Sequence, residues 1–241
     1  MKSMNFDKET LLVISPHADD EILGCYGLMK KIKNNGGKVF VQILTLGGYS
    51  RNNDVVKKEI WKNEFLSVSK LMKIDGFDIK FYENDEKHLD TIPQHLLIEY
   101  ITSKSKVSLQ KIKPTIVAIP TIFSTHQDHV QTYKISLAAL WTHPKKTSFC
   151  PQTILSYESP EYHSWSAYSE LGQFSPTFFM ELNKREIVEK IKAFSLYKSQ
   201  FRKNQRDGEK IISLAKTRGN EIGVNYAESY HVHKISMIWL F

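Results

Sequence analysis

The segment SPHADDE concentrates charge directly after the apolar run TLLVIS, where a buried strand is expected to end. It places one histidine, His17, just before three consecutive acids, Asp19, Asp20 and Glu21. Adjacent carboxylates repel one another unless a cation or hydrogen-bond donors compensate for their charge. Imidazole nitrogen and carboxylate oxygen are ligands of divalent metals such as Zn²⁺. Acids also suit the first turn of a helix, so this segment alone does not establish a metal site.

A second cluster, STHQDHV, repeats these side-chain types later in the chain with His126, Asp128 and His129. His17 and Asp20 from the first cluster, together with His129 from the second, would supply two imidazoles and one carboxylate. A catalytic zinc site uses three protein ligands and keeps one position open. The two clusters together therefore predict a metal centre, provided that the fold brings them into contact.

The predicted elements provide that contact. Apolar runs alternate with segments of helical periodicity, which predicts an α/β fold: a Rossmann-like three-layer αβα sandwich with a mainly parallel sheet. Strands are predicted at 10–15, 38–46, 78–83, 114–120, 152–158, 176–182 and 228–239, and helices at 21–33, 54–73, 92–104, 129–141, 183–199 and 206–218. In such folds, ligands bind outside the carboxyl ends of the strands, where both clusters would lie. No linker or repeat interrupts the pattern, so residues 1–241 are predicted to form a single domain.

Composition narrows the class of protein. No run approaches the ~20 apolar residues that span a bilayer, and MKSMNFDKE at the N-terminus lacks the apolar core of a secretory signal. We therefore expect a cytoplasmic protein without membrane insertion. The formal net charge is +7, but the basic residues alternate with acids and apolar helix positions, so no nucleic-acid partner is expected. Cys25 and Cys150 are expected to be free thiols, and a homo-oligomer is compatible with the sequence.

Two motifs support a family resemblance. PHADDE (16–21) resembles the Pro-His-x-Asp-Asp-Glu motif of the PIG-L/LmbE-like family of zinc-dependent N-deacetylases, and HQDH (126–129) resembles that family's His-x-Asp-His motif. The later segments LYKSQ (196–200) and YAESY (226–230) are also similar to parts of that family. The resemblance covers most of the chain and implies a single LmbE-like deacetylase domain.

The resemblance implies a metal site and a substrate-binding residue. It makes His17, Asp20 and His129 ligands of Zn²⁺, although Fe²⁺ or Co²⁺ would suit the same ligands. The family often has an arginine shortly before the glutamate of its second helix, where this chain has lysines. Arg51, in the predicted loop GGYSRNN (47–53), is the candidate to replace that arginine.

The resemblance also implies catalytic roles. Asp19 would be the general base that activates water for attack on an N-acetyl carbonyl. His126 would stabilise the oxyanion as an imidazolium or protonate the departing amine, and the sequence leaves open whether Asp19 does the latter. Asp128 would hydrogen-bond His126 and favour its charged form. Glu21 would either hydrogen-bond a metal ligand or cap its own helix.

Three functions compete. The resemblance favours removal of the acetyl group from an amino sugar of the N-acetylglucosamine type, as a small molecule or a glycoconjugate. A nucleotide-binding transferase of the methyltransferase type would need glycines after the first strand, where SPHADDEILG has acids. A metal phosphoesterase would show further carboxylates for a second ion. EYHSWSAYSE (161–170) is compatible with an aromatic lid that stacks on a sugar ring or with a packed loop, and the lid is the favoured prediction. HVH (231–233) is predicted to hold core or surface histidines.

Overall fold

The computed structural model describes residues 8–46, 58–80, 88–141, 149–160, 172–202 and 207–236, with the backbone of 49–51 and 54–56. The strands are β1 Thr10–Ser15, β2 Lys38–Ile43, β3 Tyr49–Arg51, β4 Asp54–Val56, β5 Gly76–Ile79, β6 Ile116–Pro120, β7 Thr153–Tyr157, β8 Phe178–Glu181 and β9 Ala227–Ile235. The α-helices are α1 Asp20–Asn34, α2 Lys58–Met72, α3 Gln94–Glu99, α4 Leu109–Ile112, α5 Gln127–Leu140, α6 Lys184–Phe194 and α7 Gly208–Glu221. A 3₁₀ turn at Leu89–Thr91 precedes α3, and a π-helical turn at Tyr100–Lys104 follows it.

Seven of these strands form one sheet in the order β5-β2-β1-β6-β7-β9-β8. The first five strands are mutually parallel, whereas β9 runs antiparallel to both β7 and β8. β1 pairs with β2 on one side and with β6 on the other. The chain therefore reverses its direction of winding between β1 and β6, and this topological switch point is where open α/β sheets bind ligands.

Helices cover both faces of the sheet, and the residues of β1 show how. Leu11 and Val13 belong to the core on the face covered by α1 and α2, whereas Leu12 and Ile14 belong to the core on the face covered by α3 and α5. A strand that is buried on both faces has no polar alternation, which accounts for its continuous apolar run. The predicted αβα sandwich is confirmed. Among the described residues, every helix is too short or too polar to traverse a lipid bilayer.

Several predicted elements differ in their bounds. The helix expected at 183–199 ends at Phe194, and the strand expected at 78–83 is observed at Gly76–Ile79. Two further differences have a clear physical cause. The helix expected at 54–73 begins at Lys58, because residues 54–56 form β4 and pair with β3 inside the segment expected to be a loop. β-Branched Val55 and Val56 favour this extended conformation. The helix expected at 92–104 ends in the π-helical turn, where the Thr102 and Ser103 hydroxyls donate to the carbonyls of Ile98 and Glu99. Such side-chain bonds compete with regular helical hydrogen bonds.

Helix α1 packs unusually closely against the strands behind it. A Cβ atom added at Gly24 would lie 2.1 Å from Cδ2 of Tyr157, whose hydroxyl donates to the Ile14 carbonyl. One turn later, the backbone N–H of Gly27 donates to Oε2 of Glu228 at 2.8 Å. Glycine is required at both positions because a side chain would collide with these groups. The close packing fixes the axis of α1, and α1 begins with Asp20.

A buried ion pair holds the same helix from the side of α6. The Nζ atom of Lys190 lies 2.7 Å from Oε1 of Glu228 and 2.7 Å from the Leu23 carbonyl oxygen of α1. The second oxygen of Glu228 also accepts from the Tyr230 hydroxyl at 2.8 Å. A buried charge pair of this kind tolerates the loss of either partner poorly, because the other charge would remain without compensation. We call Lys190 and Glu228 the α1 clamp. The two cysteines, Cys25 in α1 and Cys150 before β7, are free thiols as predicted.

We expect Gly24→Ala to lower the free energy of unfolding by about 1–3 kcal/mol, because the added methyl group overpacks against the buried Tyr157 ring. Urea unfolding followed by circular dichroism measures the change. Gly208→Ala is the matched control, because the nearest atom to its Cβ would be Cγ2 of Ile191 at 3.0 Å, well beyond the 2.1 Å approach at Gly24. Equal stability of the Gly24→Ala protein and the native protein would contradict this account of α1 packing.

Candidate active site

The topological switch point brings the two sequence clusters together. His17 and Asp19 lie in the turn that leaves β1, and Asp20 is the first residue of α1. His126 is the N-cap of α5, which follows β6, and His129 lies in the first turn of that helix. Because β1 and β6 are adjacent and parallel, both helices begin at the same edge of the sheet. The predicted convergence of the clusters is confirmed.

Three buried side chains are spaced as the ligands of one metal ion would be. Nδ1 of His17 lies 3.5 Å from Oδ2 of Asp20, and Nε2 of His129 lies 3.4 Å from the same oxygen. Zinc bonds of about 2.1 Å place tetrahedral ligand atoms about 3.4 Å apart. His17, Asp20 and His129 could therefore hold one divalent ion without rearrangement of the fold.

A second possible ligand group consists of His17, His126 and Asp128. Its distances suit hydrogen bonding better than shared metal binding, because Oδ2 of Asp128 lies only 2.9 Å from Nε2 of His17. The other oxygen, Oδ1, accepts from the Leu89 backbone N–H at 2.9 Å. With a proton on Nε2 directed at Asp128, the Nδ1 lone pair of His17 faces Asp20. A carboxylate that orients a histidine in this way is a common support for a metal ligand.

The hydrogen-bond partners of the Asp128 carboxylate differ from the partner expected from the sequence. Its carboxylate bonds to His17 and Leu89, whereas the sequence suggested a bond from that carboxylate to His126. Asp128 does contact His126, but through its backbone: the Asp128 N–H donates to Nδ1 of His126 at 3.2 Å. Spacing along the chain placed these residues together but did not indicate which way each side chain turns.

This N-cap hydrogen bond determines how His126 can act. Because Nδ1 is the acceptor, the ring proton of the neutral imidazole lies on Nε2. An imidazolium, which was expected from the sequence, carries protons on both nitrogens and would lose this bond. The His126 ring is half-buried and lies 4.9 Å from the His17 ring and 5.4 Å from the His129 ring, measured between centroids. In this geometry, His126 presents a neutral N–H donor beside the candidate metal ligands.

The two carboxylates that contact histidines remain ionised despite their burial. Burial alone would raise the pKa of Asp20, but the attraction of His129 and the contacts with His17 outweigh it and hold that pKa well below its usual range. These contacts include a hydrogen bond from the His17 backbone N–H at 3.0 Å. Burial likewise opposes ionisation of Asp128, and the hydrogen bond with His17 again lowers the pKa of its carboxyl group. An ionised carboxylate is the form that binds a metal.

Asp19 has an unusual backbone conformation, with φ 123° and ψ −29°. L-residues rarely adopt this region, and such a conformation costs about 1–3 kcal/mol. The Asp19 side chain is buried and belongs to neither of the possible ligand groups. Adjacent Asp20 has helical geometry, so the two acids leave the backbone from different local conformations.

Glu21 bonds to the strained residue. Its Oε2 accepts from the Asp19 backbone N–H at 3.0 Å, and its Oε1 accepts from the Tyr197 hydroxyl. Burial raises the pKa of Glu21 to about 8, and its hydrogen bonds only partly offset that effect. Of the two roles expected from the sequence, capping of its own helix is the closer, because Glu21 bonds to the N-cap residue of α1.

The remaining predicted site residues have mixed outcomes. Arg51 lies in β3, and its side chain is outside the described residues, as is the predicted lid at 161–170. His231 and His233 lie on one face of β9, with ring centroids 5.0 Å apart, and His231 contacts the Ser175 carbonyl through Nδ1. Neither belongs to a group of three possible metal ligands among the described residues.

Sequence reasoning missed three supports of the site. Trp61 of α2 was not expected at the site, yet its ring stacks on that of His17, with centroids 6.1 Å apart and planes 11° apart. The Leu89 backbone N–H has no sequence signal, since any residue except proline offers one. Tyr197 lies in the segment LYKSQ, which had drawn attention only through the family resemblance.

Comparisons with known proteins agree with the motifs. A family model described as PIG-L: GlcNAc-PI de-N-acetylase matches residues 12–140, which contain both clusters. The chain is 24% identical over 197 residues to the uncharacterized deacetylase YaiS of Escherichia coli (strain K12), covering 80% of this chain and 92% of YaiS.

Two solved structures share the fold. The N,N'-diacetylchitobiose deacetylase from Pyrococcus horikoshii has a TM-score of 0.70 and 19% identity, covering 94% of this chain and 84% of its own. The 4-carboxy-2-hydroxymuconate hydratase GalB from Pseudomonas putida KT2440 has a TM-score of 0.69 and 14% identity, and the match covers 97% of this chain and 99% of GalB. At such identities the likeness concerns the fold alone, and it extends to a hydratase as well as to a deacetylase.

We expect Asp19→Gly to be more stable than Asp19→Ala by about 1–3 kcal/mol, because glycine adopts the observed φ without strain whereas alanine does not. Both variants remove the carboxylate, so the difference between their free energies of unfolding reports the strain of the backbone at residue 19. Thermal and urea unfolding of the two proteins, each loaded with the same metal, measures it. Alanine as stable as glycine would show that residue 19 is unstrained.

Proposed function

The chain belongs to the PIG-L family of deacetylases, and we propose that it is a metal-dependent hydrolase that removes the acetyl group from an N-acetylated amino sugar of the N-acetylglucosamine type or from its conjugate. One observation carries the proposal. Two imidazole nitrogens each lie 3.4–3.5 Å from the same carboxylate oxygen at the switch point, beside a further buried acid and a half-buried imidazole. The family description supports N-acetylglucosamine as the acetylated group.

We assign Nδ1 of His17, Oδ2 of Asp20 and Nε2 of His129 as the metal ligands. The mixed nitrogen and oxygen donors suit Zn²⁺, and Fe²⁺ or Co²⁺ fits the same set. A divalent ion bound there would lower the pKa of a water molecule toward neutrality and draw electron density from the substrate carbonyl. Asp128 keeps His17 in the required tautomer through the 2.9 Å contact with Nε2.

Asp19 is the proposed general base. It adjoins a ligand residue but lies outside both possible ligand groups. It would accept a proton from the attacking water as the bond to the acetyl carbon forms. When the carbon–nitrogen bond breaks, the same carboxyl would return the proton to the leaving amine. Acetate and a free amine are then the products, and the base is regenerated.

His126 is the proposed donor to the carbonyl oxygen. Negative charge grows on that oxygen during attack, and a preorganised donor stabilises it. A neutral Nε2–H can donate without breaking the N-cap bond at Nδ1, which measures 3.2 Å. This role for a neutral ring also leaves delivery of a proton to the amine with Asp19.

The sugar would bind at the same edge of the sheet. The hairpin of β3 and β4 follows β2, whose carboxyl end lies beside that of β1. We propose Arg51 of β3 as the residue that contacts the sugar or a group attached to it. Binding of a small molecule or a glycoconjugate at this edge requires no membrane insertion. Both possible ligand groups contain His17, so the described residues support one ion rather than the two expected of a phosphoesterase.

The first test measures acetate release by the zinc-loaded protein from a panel of N-acetylglucosamine derivatives. We expect release from at least one sugar, and loss of turnover by about 10²-fold or more in Asp19→Asn, because an amide cannot accept the proton. Metal content by mass spectrometry should stay at the native level in this variant. No release from any N-acetyl sugar would contradict the function, and loss of metal in Asp19→Asn would contradict the separation of base and ligand.

The second test separates the two possible ligand groups. His129→Ala should reduce zinc affinity by several orders of magnitude, because it removes one of three ligands, whereas His126→Ala should keep the metal and lose turnover. Competition with a chelating dye measures both dissociation constants. The opposite result, with zinc lost from His126→Ala and kept by His129→Ala, would assign the ion to the group that contains Asp128.

A further inference from the structure

The strained conformation of Asp19 needs a cause outside its own residue. A φ of 123° at an aspartate is retained only when surrounding groups hold it. The Asp19 side chain makes no capping bond to its helix, so ordinary N-capping does not account for the conformation. The backbone N–H of Asp19, by contrast, has a buried acceptor in Glu21 Oε2 at 3.0 Å.

Glu21 is itself difficult to explain by stability. It is fully buried, it follows two other acids, and none of the ion pairs between described residues includes it. Burial of a carboxyl group without a cation is costly, and an apolar residue would serve the helix better. Both of its oxygens instead accept hydrogen bonds from protein donors, one from the Asp19 backbone and one from the Tyr197 hydroxyl.

Tyr197 is held in place independently of Glu21. It is fully buried, and its backbone N–H donates to the Phe194 carbonyl at the end of α6. Two residues later, the N–H and hydroxyl of Ser199 donate to the two carboxylate oxygens of Glu64 on α2, at 2.9 and 2.6 Å. The segment LYKSQ is therefore anchored to the helix whose Trp61 stacks on His17, and it presents its phenol to Glu21.

We infer that Glu21 and Tyr197 are positioning residues for the reaction: Tyr197 fixes Glu21, and Glu21 holds the Asp19 backbone in the strained conformation that aims the carboxylate of Asp19. This inference rests on the proposed role of Asp19 as general base. It gives LYKSQ a part in the chemistry without contact with substrate. Neither residue acts on the reacting atoms directly, so their removal should impair turnover more than substrate binding.

The decisive variant is Tyr197→Phe, which deletes one hydroxyl. We expect kcat to fall by about 10- to 100-fold, the scale of a small misplacement of a catalytic group, with KM within about twofold and zinc content unchanged. Tyr26→Phe is the matched control. It removes a buried tyrosine's bond to Glu189, 3.1 Å long, which joins α1 to α6 away from Asp19, and it should leave kcat unchanged.

Substitutions of Glu21 test the hydrogen bonds themselves. Glu21→Gln should restore most of the activity lost in Glu21→Leu, because its carbonyl can accept from Asp19 and its amide can donate to Tyr197. The double variant Glu21→Leu with Tyr197→Phe should be no slower than Glu21→Leu alone, since both changes break one chain of contacts. If Glu21→Leu fails to fold, the kcat values of Tyr197→Phe and Glu21→Gln still test whether these hydrogen bonds support turnover.

A measurement independent of catalysis keeps this inference separate from the proposed function. In Tyr197→Phe, the Asp19 amide proton should exchange with solvent at least about tenfold faster than in the native protein, as measured by nuclear magnetic resonance. Native kcat in Tyr197→Phe, loss of its zinc, or unchanged exchange at Asp19 would overturn the inference. If the native protein deacetylates nothing, the proposed function fails, and the exchange measurement alone decides whether the contact positions Asp19.

Discussion

Three consecutive buried acids at the end of a buried strand are the constraint around which this molecule is built. Each would be unfavourable in a dry interior without compensation. The structure gives Asp20 two histidines and gives Glu21 two hydrogen-bond donors, and it places Asp19 in a conformation that separates it from its neighbour. Different partners give the three carboxyl groups different chemistry, although they are adjacent in the sequence.

The sheet makes this arrangement possible. Parallel neighbours β1 and β6 bring their loops to the same edge, so residues far apart in the chain become neighbours at one site. Close packing then determines orientation. Gly24 lets α1 rest on Tyr157, Trp61 covers His17, and Leu89 secures Asp128. Contacts with other elements therefore orient His17, Asp20 and Asp128.

Much of this could be read from the sequence, for identifiable reasons. A strand that is buried on both faces must be continuously apolar, so β1 and β6 were recognisable. Each cluster directly follows one of these strands, which placed six site residues at one edge of the sheet. The motifs then indicated the family. Side-chain direction was a different matter. Whether Asp128 faces His17 or His126 depends on rotamers and on Leu89, which lies in another segment, and no spacing rule encodes either.

The hairpin of β3 and β4 and the role of Tyr197 escaped prediction for related reasons. Two strands of three residues each lie below the length at which periodicity is informative. Tyr197 is 176 positions from Glu21, and a single hydrogen bond at that separation leaves no trace in a local pattern. Contacts between distant segments decide the fine structure of the site, whereas local patterns decide only its location.

The α1 clamp has a consequence for how such a protein can change over time. The stretch that matches the family model, residues 12–140, holds every assigned ligand, yet Tyr157, Lys190, Tyr197 and Glu228 lie beyond it. All four residues pack against α1 or form hydrogen bonds with it. The part of the chain that carries the candidate ligands could therefore not be transplanted alone into another scaffold. A natural substitution in the last third of the chain could also disturb α1 while both sequence motifs remain intact. Inheritance of a working site depends on residues beyond the motifs, so screening that inspects only the motifs would overlook variants that disturb the packing of α1.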